Sequence, residues 1–220
     1  LNYALSAARV AANHGDDMVR SEALADATEG LQRIQLMIRE LRDFLAPTSA
    51  PELELEPTLL SKVIQRAAKL NADRLSGIEF SAHGVEVYVL VSESALMHVL
   101  GNLIDNALDA LLGSSVESPR IKIAGKIRKE DQHLILAISD NGPGVPSHLD
   151  SQIFEPFIHS NKSSGLGLGL SICKTLVEKM GGLIVLEPSQ HGATFKLTLP
   201  LAQQRLPCSP PRNRDRSSLN

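Results

Sequence analysis

The sequence Lys162-Ser-Ser-Gly165-Leu-Gly167-Leu-Gly169-Leu-Ser-Ile172 alternates three glycines with leucines and runs directly into a helical pattern. The apolar residues that follow recur at helical spacing: Cys173, Leu176, Val177 and Met180. The pair Gly181-Gly182 then ends the predicted helix. A glycine-rich loop at a helix N-terminus lets backbone N–H groups approach a phosphate. The spacing matches neither the dinucleotide fingerprint, because Leu170 replaces its last glycine, nor the P-loop, because Lys162 precedes the glycines. The stretch therefore predicts either a flexible loop or a phosphate site of a third kind.

The composition indicates a globular, weakly acidic chain. Of its 220 residues 43% are hydrophobic but only 3% are aromatic, so the core must be aliphatic. The net charge is -3, and no basic block lies outside the C-terminal tail. The charge distribution therefore does not indicate nucleic-acid binding. Two cysteines argue against a disulfide scaffold and fit a reducing compartment. No apolar run reaches membrane-spanning length and no signal peptide is recognisable. We therefore expect a cytoplasmic segment without membrane contact, in a protein whose full length could still be membrane-anchored.

A heptad pattern dominates the N-terminal part. Residues 1–13 favour a helix with a weak apolar seam, and His14-Gly15 marks its end. A stronger seam with alternating spacings of three and four predicts a second helix over residues 21–46: Leu24, Ala27, Leu31, Ile34, Ile38, Leu41 and Leu45. One hairpin cannot bury both seams, so residues 1–46 predict half of a dimeric four-helix bundle. The alternative is a helix that packs on its own domain.

Helices and strands are mixed after residues 47–51, where two prolines mark a domain boundary. The patterns predict a helix over residues 58–71, a second helix capped by Ser92 and ending at Leu112, and six strands over residues 78–82, 85–91, 121–127, 134–139, 183–186 and 194–199. The fold class is α+β. A helical hairpin precedes an α/β sandwich over residues 52–201, whose mixed, mostly antiparallel sheet is covered by helices on one face. The Pro- and Arg-rich residues 202–220 predict a disordered tail.

Two amides share one face of the long predicted helix. Asn102 and Asn106 lie one turn apart, so both can point at the same object. Amide oxygens are hard, neutral ligands, suited to sharing a hydrated Mg²⁺ with phosphates. A plain polar face is the alternative interpretation.

Two further motifs follow this helix in the sequence. Asp140 ends a predicted strand and is followed by a turn with Gly142 and Gly144. This is either a hairpin turn or a site where the carboxylate accepts a hydrogen bond from an exocyclic amine such as that of adenine, with the glycines lying beside the flat base. The stretch Ile153-Phe-Glu-Pro-Phe157 predicts an apolar anchor for a mobile loop, a core contact, or both.

Together these motifs resemble the catalytic, ATP-binding domain of sensor histidine kinases, in the gyrase–Hsp90–MutL ATPase superfamily. The motifs and their counterparts stand in the family's order: Asn102-Leu-Ile-Asp-Asn106 as the N box, Asp140-Asn-Gly-Pro-Gly144 as the G1 box, Phe154-Glu-Pro-Phe157 as the F box, Gly165-Leu-Gly-Leu-Gly169 as the G2 box and Gly192-Ala-Thr-Phe195 as the last glycine box. The resemblance covers residues 1–201 and implies ATP and Mg²⁺ as cofactors.

The resemblance also implies three groups of ligand-binding residues. Asp140 would hold the adenine amino group, in a pocket shaped by Gly142, Gly144 and Thr194. Mg²⁺ and the phosphates would be held by Asn106 and Asn102. A lid over the triphosphate would comprise Lys162, Gly165, Gly167 and Gly169.

The implied reaction is transfer of a phosphoryl group from ATP to a histidine, and then to an aspartate of a response-regulator receiver domain. The implied assembly is a homodimer through residues 1–46, which resemble part of the family's dimerisation and histidine-phosphotransfer hairpin. Residues 1–5 look like the continuation of the family's acceptor motif, so we expect the acceptor histidine upstream of Leu1 and not at His14. The alternatives are an ATPase conformational switch and a non-catalytic ATP-binding dimerisation module. ATPase relatives carry a glutamate as general base where this chain has Asn102, and an amide cannot accept a proton at neutral pH.

Overall fold

The computed structural model describes residues 53–158, 166–187, 189 and 192–202, together with residues 18, 21, 23–25, 27, 28, 31 and 34, which are helical. The bounds of the predicted hairpin and residues 203–220 of the predicted tail lie outside the described residues. No described helix combines the length and the apolar character needed to cross a membrane.

A five-stranded sheet forms the centre of the domain. The described strands are β1 (Glu56–Leu59), β2 (Glu79–His83), β3 (Tyr88–Val91), β4 (Arg120–Arg128), β5 (His133–Asp140), β6 (Leu183–Glu187) and β7 (Thr194–Pro200). The large sheet has the order β2-β4-β5-β7-β6, and only the β2–β4 pair is parallel. The prediction of a mixed, mostly antiparallel sheet is therefore confirmed.

Helices cover one face of this sheet. They are α1 (Leu60–Leu70), α2 (Glu93–Leu112) and α3 (Gly169–Lys179), with a short 3-10 turn at Ser147–Leu149. Alternate residues of β4 and β5, such as Ile123 and Leu136, are fully buried in one core with Leu100 and Leu108 of α2. Phe195 is the one aromatic side chain among the described buried residues, so the core is aliphatic as its composition predicts. The opposite sheet face carries Lys122, Lys126 and Val185, which are exposed.

The start of the domain differs from the prediction. Thr58 and Leu59, predicted as the start of the first helix, instead end β1, which pairs antiparallel with β3 in a separate two-stranded sheet. The predicted strand over residues 85–91 begins only at Tyr88, because Val87 N–H turns back to the carbonyl of Val85 at 2.9 Å. Ser92 stands at the N-cap position of α2, but its hydroxyl lies 3.2 Å from that of Ser94 and makes no capping bond.

Candidate functional site

Asp140 closes β5, and its carboxyl group is held by backbone N–H groups. Gly142 N–H donates to Oδ1 at 2.8 Å, and Ala193 N–H donates to the same oxygen at 3.3 Å. Burial raises the pKa of Asp140 above its ordinary value, while the two N–H groups oppose that rise because they favour the ionised form. Since both bonds reach Oδ1, Oδ2 is available to an amino group of a ligand.

Asn102 and Asn106 of α2 form a hydrogen-bonded pair. Asn106 Nδ2 donates to Asn102 Oδ1 at 3.0 Å, which leaves the Oδ1 atom of Asn106 as an acceptor for a cation. The first residue of α3 lies directly against this pair. A Cβ atom on Gly169 would come within 2.2 Å of Asn102 Nδ2, so a larger residue there would displace the Asn102 amide. The amide pair and the N-terminus of α3 are therefore neighbours.

Close backbone contacts join the Asp140 turn to its surroundings. A Cβ atom on Gly192 would lie 1.9 Å from the carbonyl oxygen of Asp140, and one on Gly144 would lie 2.8 Å from the carbonyl oxygen of Gly192. A Cβ atom on Gly142 would approach Asp140 Oδ1 at 2.9 Å and Cβ of Ala110 in α2 at 3.3 Å. Backbone contacts within the protein therefore favour glycine at positions 144 and 192, and side-chain contacts crowd position 142, whereas Gly142 and Gly144 were expected to make room for a base.

Thr194 lies on the sheet face opposite to the Asp140 carboxyl group. Its hydroxyl donates to Ser139 Oγ at 2.9 Å, and the two residues are directly paired between β5 and β7. Because successive side chains of a strand point to opposite faces, Asp140 points away from both. The contact with the Asp140 carboxyl group comes from Ala193 N–H, which was not predicted.

The phenylalanine motif contacts both the core and the glycine-rich stretch. Phe154 packs edge-on against Phe195, with ring centroids 6.3 Å apart and planes at 82°. Phe157 is 59% exposed and has a φ of 66°, and its N–H donates to the carbonyl of Gly167 at 2.9 Å. The segment therefore holds one end of the glycine-rich stretch. Lys162 and Gly165 lie outside the described residues, so their part in a lid stays a prediction.

Asn141 is a residue of this site that the sequence analysis did not identify. Its Oδ1 accepts the N–H of Arg120 at 2.8 Å, and its Nδ2 donates to the carbonyl of Ser118 at 3.1 Å. Regular pairing of β4 with β5 ends at Ile121 and Asp140, so this side chain adds two bonds just beyond the ladder. An asparagine after a strand is a turn signal, but nothing local indicates partners more than 20 residues away.

Arg74, in the loop after α1, was also not predicted. Its guanidinium group bonds Asp105 Oδ1 at 2.9 Å and Asp109 Oδ1 at 2.5 Å, and both carboxylates lie on α2 beside Asn106. Burial raises the pKa of Asp105, Arg74 opposes this rise, and Asp109 adds to it. The predicted phosphate face of α2 is therefore flanked by two acids and one arginine.

A cleft of about 660 Å³ opens at the other end of α2. Glu56, Arg66, Glu93 and Met97 are among its lining residues, and Arg66 is ion-paired with Glu93. None of the predicted ligand-binding residues lines this cleft. The site at Asp140 and Asn106 is thus defined by its chemistry and not by this cleft.

Comparison with known proteins finds similarity to one ATPase family, to sensor proteins and to solved histidine kinase structures. The family model described as histidine kinase-, DNA gyrase B-, and HSP90-like ATPase matches residues 91–203. The C4-dicarboxylate transport sensor protein DctB of Rhizobium meliloti is 30% identical in an alignment 200 residues long, which covers 87% of this chain but only 30% of DctB. The nucleotide-free catalytic domain of histidine kinase ThkA has a TM-score of 0.59 at 27% identity, covering 67% of this chain and 96% of that domain. Full-length ShkA in complex with AMPPNP has a TM-score of 0.67 at 25% identity, covering 90% of this chain and 42% of ShkA.

Proposed function

The chain belongs to the histidine kinase-, DNA gyrase B- and HSP90-like ATPase family, whose model matches about half of it, and on this basis we propose that it is the core of a sensor histidine kinase. In this proposal it binds ATP with Mg²⁺ and directs the γ-phosphoryl group to a histidine. An aspartate of a response-regulator receiver domain then receives that group. The proposal is supported by DctB, which is named a sensor protein, and by ThkA and ShkA, of which ShkA was determined with the adenine nucleotide AMPPNP.

The observation that carries the proposal is the meeting of three groups at one end of the domain. The Asp140 turn touches α2 at Ala110, the amide pair lies on α2, and Gly169 brings the N-terminus of α3 against Asn102. Oδ2 of Asp140 fits an exocyclic amino group, and Oδ1 of Asn106 fits a hard cation. The first N–H groups of α3 have no carbonyl partner within the helix and therefore favour a phosphate.

Each residue has a distinct part in the proposed reaction. Asp140 orients the base, the amide pair holds the metal and the phosphates, and the start of α3 offsets phosphate charge. The bound Mg²⁺ would supply further neutralisation of the phosphate oxygens. Phosphoryl transfer depends mainly on such positioning and charge neutralisation, so these groups suffice for it once an acceptor is in line.

Asn102 favours a kinase over an ATP-hydrolysing switch. Its Oδ1 accepts the bond from Asn106, and its Nδ2 lies against Gly169. An amide held in this way cannot remove a proton from water, so the site has no general base at the position where the ATPase relatives carry one. Hydrolysis is therefore expected to be slow in the absence of the acceptor.

Labelling with γ-labelled ATP tests the proposed activity. Protein expressed from the whole reading frame should acquire an acid-labile, alkali-stable phosphate in the presence of Mg²⁺. Asn106→Ala should lose the label because Mg²⁺ and the phosphates lose a ligand, while His14→Gln should keep it. Steady release of inorganic phosphate without phosphorylation of the protein would favour the ATPase alternative. ATP binding with neither phosphorylation nor phosphate release would favour a non-catalytic module.

A homodimer through the helix over residues 21–46 is the second part of the proposal. Leu24 and Leu31, seven residues apart, are 54% and 55% exposed in a helical segment where Ala23 and Ala27 are buried. A second copy of this helix would bury the exposed leucines and so stabilise a dimer. Replacing both Ile34 and Ile38 by glutamate should give monomers in sedimentation equilibrium at micromolar concentration, with ATP binding retained. A wild-type protein that sediments as a monomer at high micromolar concentration would contradict the dimer.

A further inference from the structure

An ion-pair network occupies the side of α2 next to the amide pair. Arg74 comes from the loop after α1 and reaches 31 and 35 residues along the chain to Asp105 and Asp109. The side chains of Arg74, Asp105 and Asp109 are 39%, 49% and 50% exposed. Ion pairs this exposed contribute little to folding stability, so the stability of the domain does not explain the network.

The two carboxylates stand where the proposed ligand brings more negative charge. Asp105 is adjacent to Asn106 in sequence, and Asp109 follows one turn later. At about 100° per residue, Asp109 lies only about 20° around the helix from Asn102. Phosphates held by the amide pair would therefore face two acids of like charge. Repulsion between a phosphate and a neighbouring carboxylate is appreciable at a partly exposed surface, and salt reduces it.

We propose that Arg74 is a positioning residue for the polyphosphate. It holds Asp105 and Asp109 and offsets their negative charge. The face of α2 that carries Asn102 and Asn106 can then accept an anion. The inference rests on the proposed nucleotide site and adds a residue from outside every motif that predicted it. Its action is electrostatic and works through the two carboxylates. Its effect must therefore grow with the number of phosphates on the ligand.

The test compares ATP, ADP and adenosine as ligands of Arg74→Gln and of the wild-type protein, by isothermal titration with Mg²⁺ present. The Kd for ATP should rise about threefold to tenfold at low salt, the Kd for ADP should rise less, and that for adenosine should not change. The ATP effect should shrink in high salt, because salt screens exposed charges. Adding Asp105→Asn and Asp109→Asn to Arg74→Gln should restore ATP binding, since the repelling charges are then gone.

Arg66→Gln is the matched control. Arg66 of α1 pairs with Glu93 at the far end of α2, so this variant also removes an exposed arginine–carboxylate pair to α2 while leaving the nucleotide face intact. Equal weakening of ATP and adenosine by Arg74→Gln, or failure of the triple variant to restore ATP binding, would overturn the inference. Tighter ATP binding in Arg74→Gln would also overturn it and would indicate that the carboxylates bind the metal. A wild-type protein that binds neither ATP nor ADP refutes the proposed function itself, and this outcome is visible before any variant is made.

Discussion

Replacing Asp140 by asparagine is expected to weaken ATP binding by roughly 1–3 kcal/mol, which is the scale for losing a hydrogen bond to a charged group. The Oδ1 atom of the new amide can still accept the N–H groups of Gly142 and Ala193. Its Nδ2 atom, however, then points a donor at the amino group of adenine. The fold is preserved while the ligand bond is lost, and isothermal titration with ATP measures the loss.

Inosine triphosphate provides the specific control for this prediction. It carries a carbonyl where ATP carries the amino group, so the wild-type protein should prefer ATP and Asp140→Asn should lose that preference. Asp150→Asn, an exposed position after the 3-10 turn, should bind both nucleotides as the wild type does. An unchanged ratio of the two Kd values in Asp140→Asn would show that Asp140 does not contact the base.

The same substitution should not destabilise the free protein at neutral pH. The pKa of Asp140 is raised in the folded state because its carboxyl group is buried. The folded state therefore holds its proton more tightly than the unfolded state. The associated stability is present at low pH and is lost as the pH rises through the folded-state pKa. Asparagine avoids this loss, so thermal unfolding of the nucleotide-free variant should occur at the same or a higher temperature than that of the wild type at pH 7.

Replacing Gly192 by alanine is expected to lower the free energy of unfolding by roughly 2–5 kcal/mol, from a left-handed backbone angle together with overpacking. The φ of Gly192 is 75°, and the added Cβ atom would lie 1.9 Å from the carbonyl oxygen of Asp140. Backbone atoms cannot move aside as a flexible side chain can. Relief of the clash would separate Ala193 N–H from the Asp140 carboxyl group, so ATP binding should weaken as well. Denaturant unfolding with and without ATP measures both effects.

Gly181→Ala separates the two causes. Gly181 has the same φ of 75°, but a Cβ atom there would meet nothing within 4 Å. This variant should show only the conformational cost of about 1–2 kcal/mol, with ATP binding unchanged. Equal destabilisation by the two substitutions would mean that the contact between Gly192 and Asp140 is not a constraint on the fold.

The periodicity of apolar residues was sufficient to predict most elements of the ATP-binding domain. The helix expected from Ser92 to Leu112 is α2, Glu93–Leu112, and the strand expected over residues 134–139 is β5, His133–Asp140. These predictions succeed because burial against one core imposes a period of 3.6 on a helix and 2 on a strand, and both periods are visible locally. The order of the motifs was likewise enough to predict the family.

Local sequence did not reveal which distant residues would pair. Thr58 and Leu59 of β1 were predicted as helix because the pairing of β1 with β3, about 30 residues later, leaves no local signal. Thr194 was chosen from its motif, but the pairing of β7 with β5 sets it beside Ser139 and gives the contact with Asp140 to Ala193.

The chemistry of the site was thus determined by the sequence, and its arrangement was decided by the tertiary structure. Asp140 and Asn106 could be proposed as ligands from residue type and spacing, because the chemistry of a carboxylate or an amide belongs to the side chain itself. Arg74 and Asn141 were not, since their partners lie 21 to 35 residues away and meet them only when helices and strands pack. The structural role of the glycines was also not predictable from the sequence. The lack of a Cβ atom matters only where a neighbouring atom would clash with it, and that neighbour is known only from the fold.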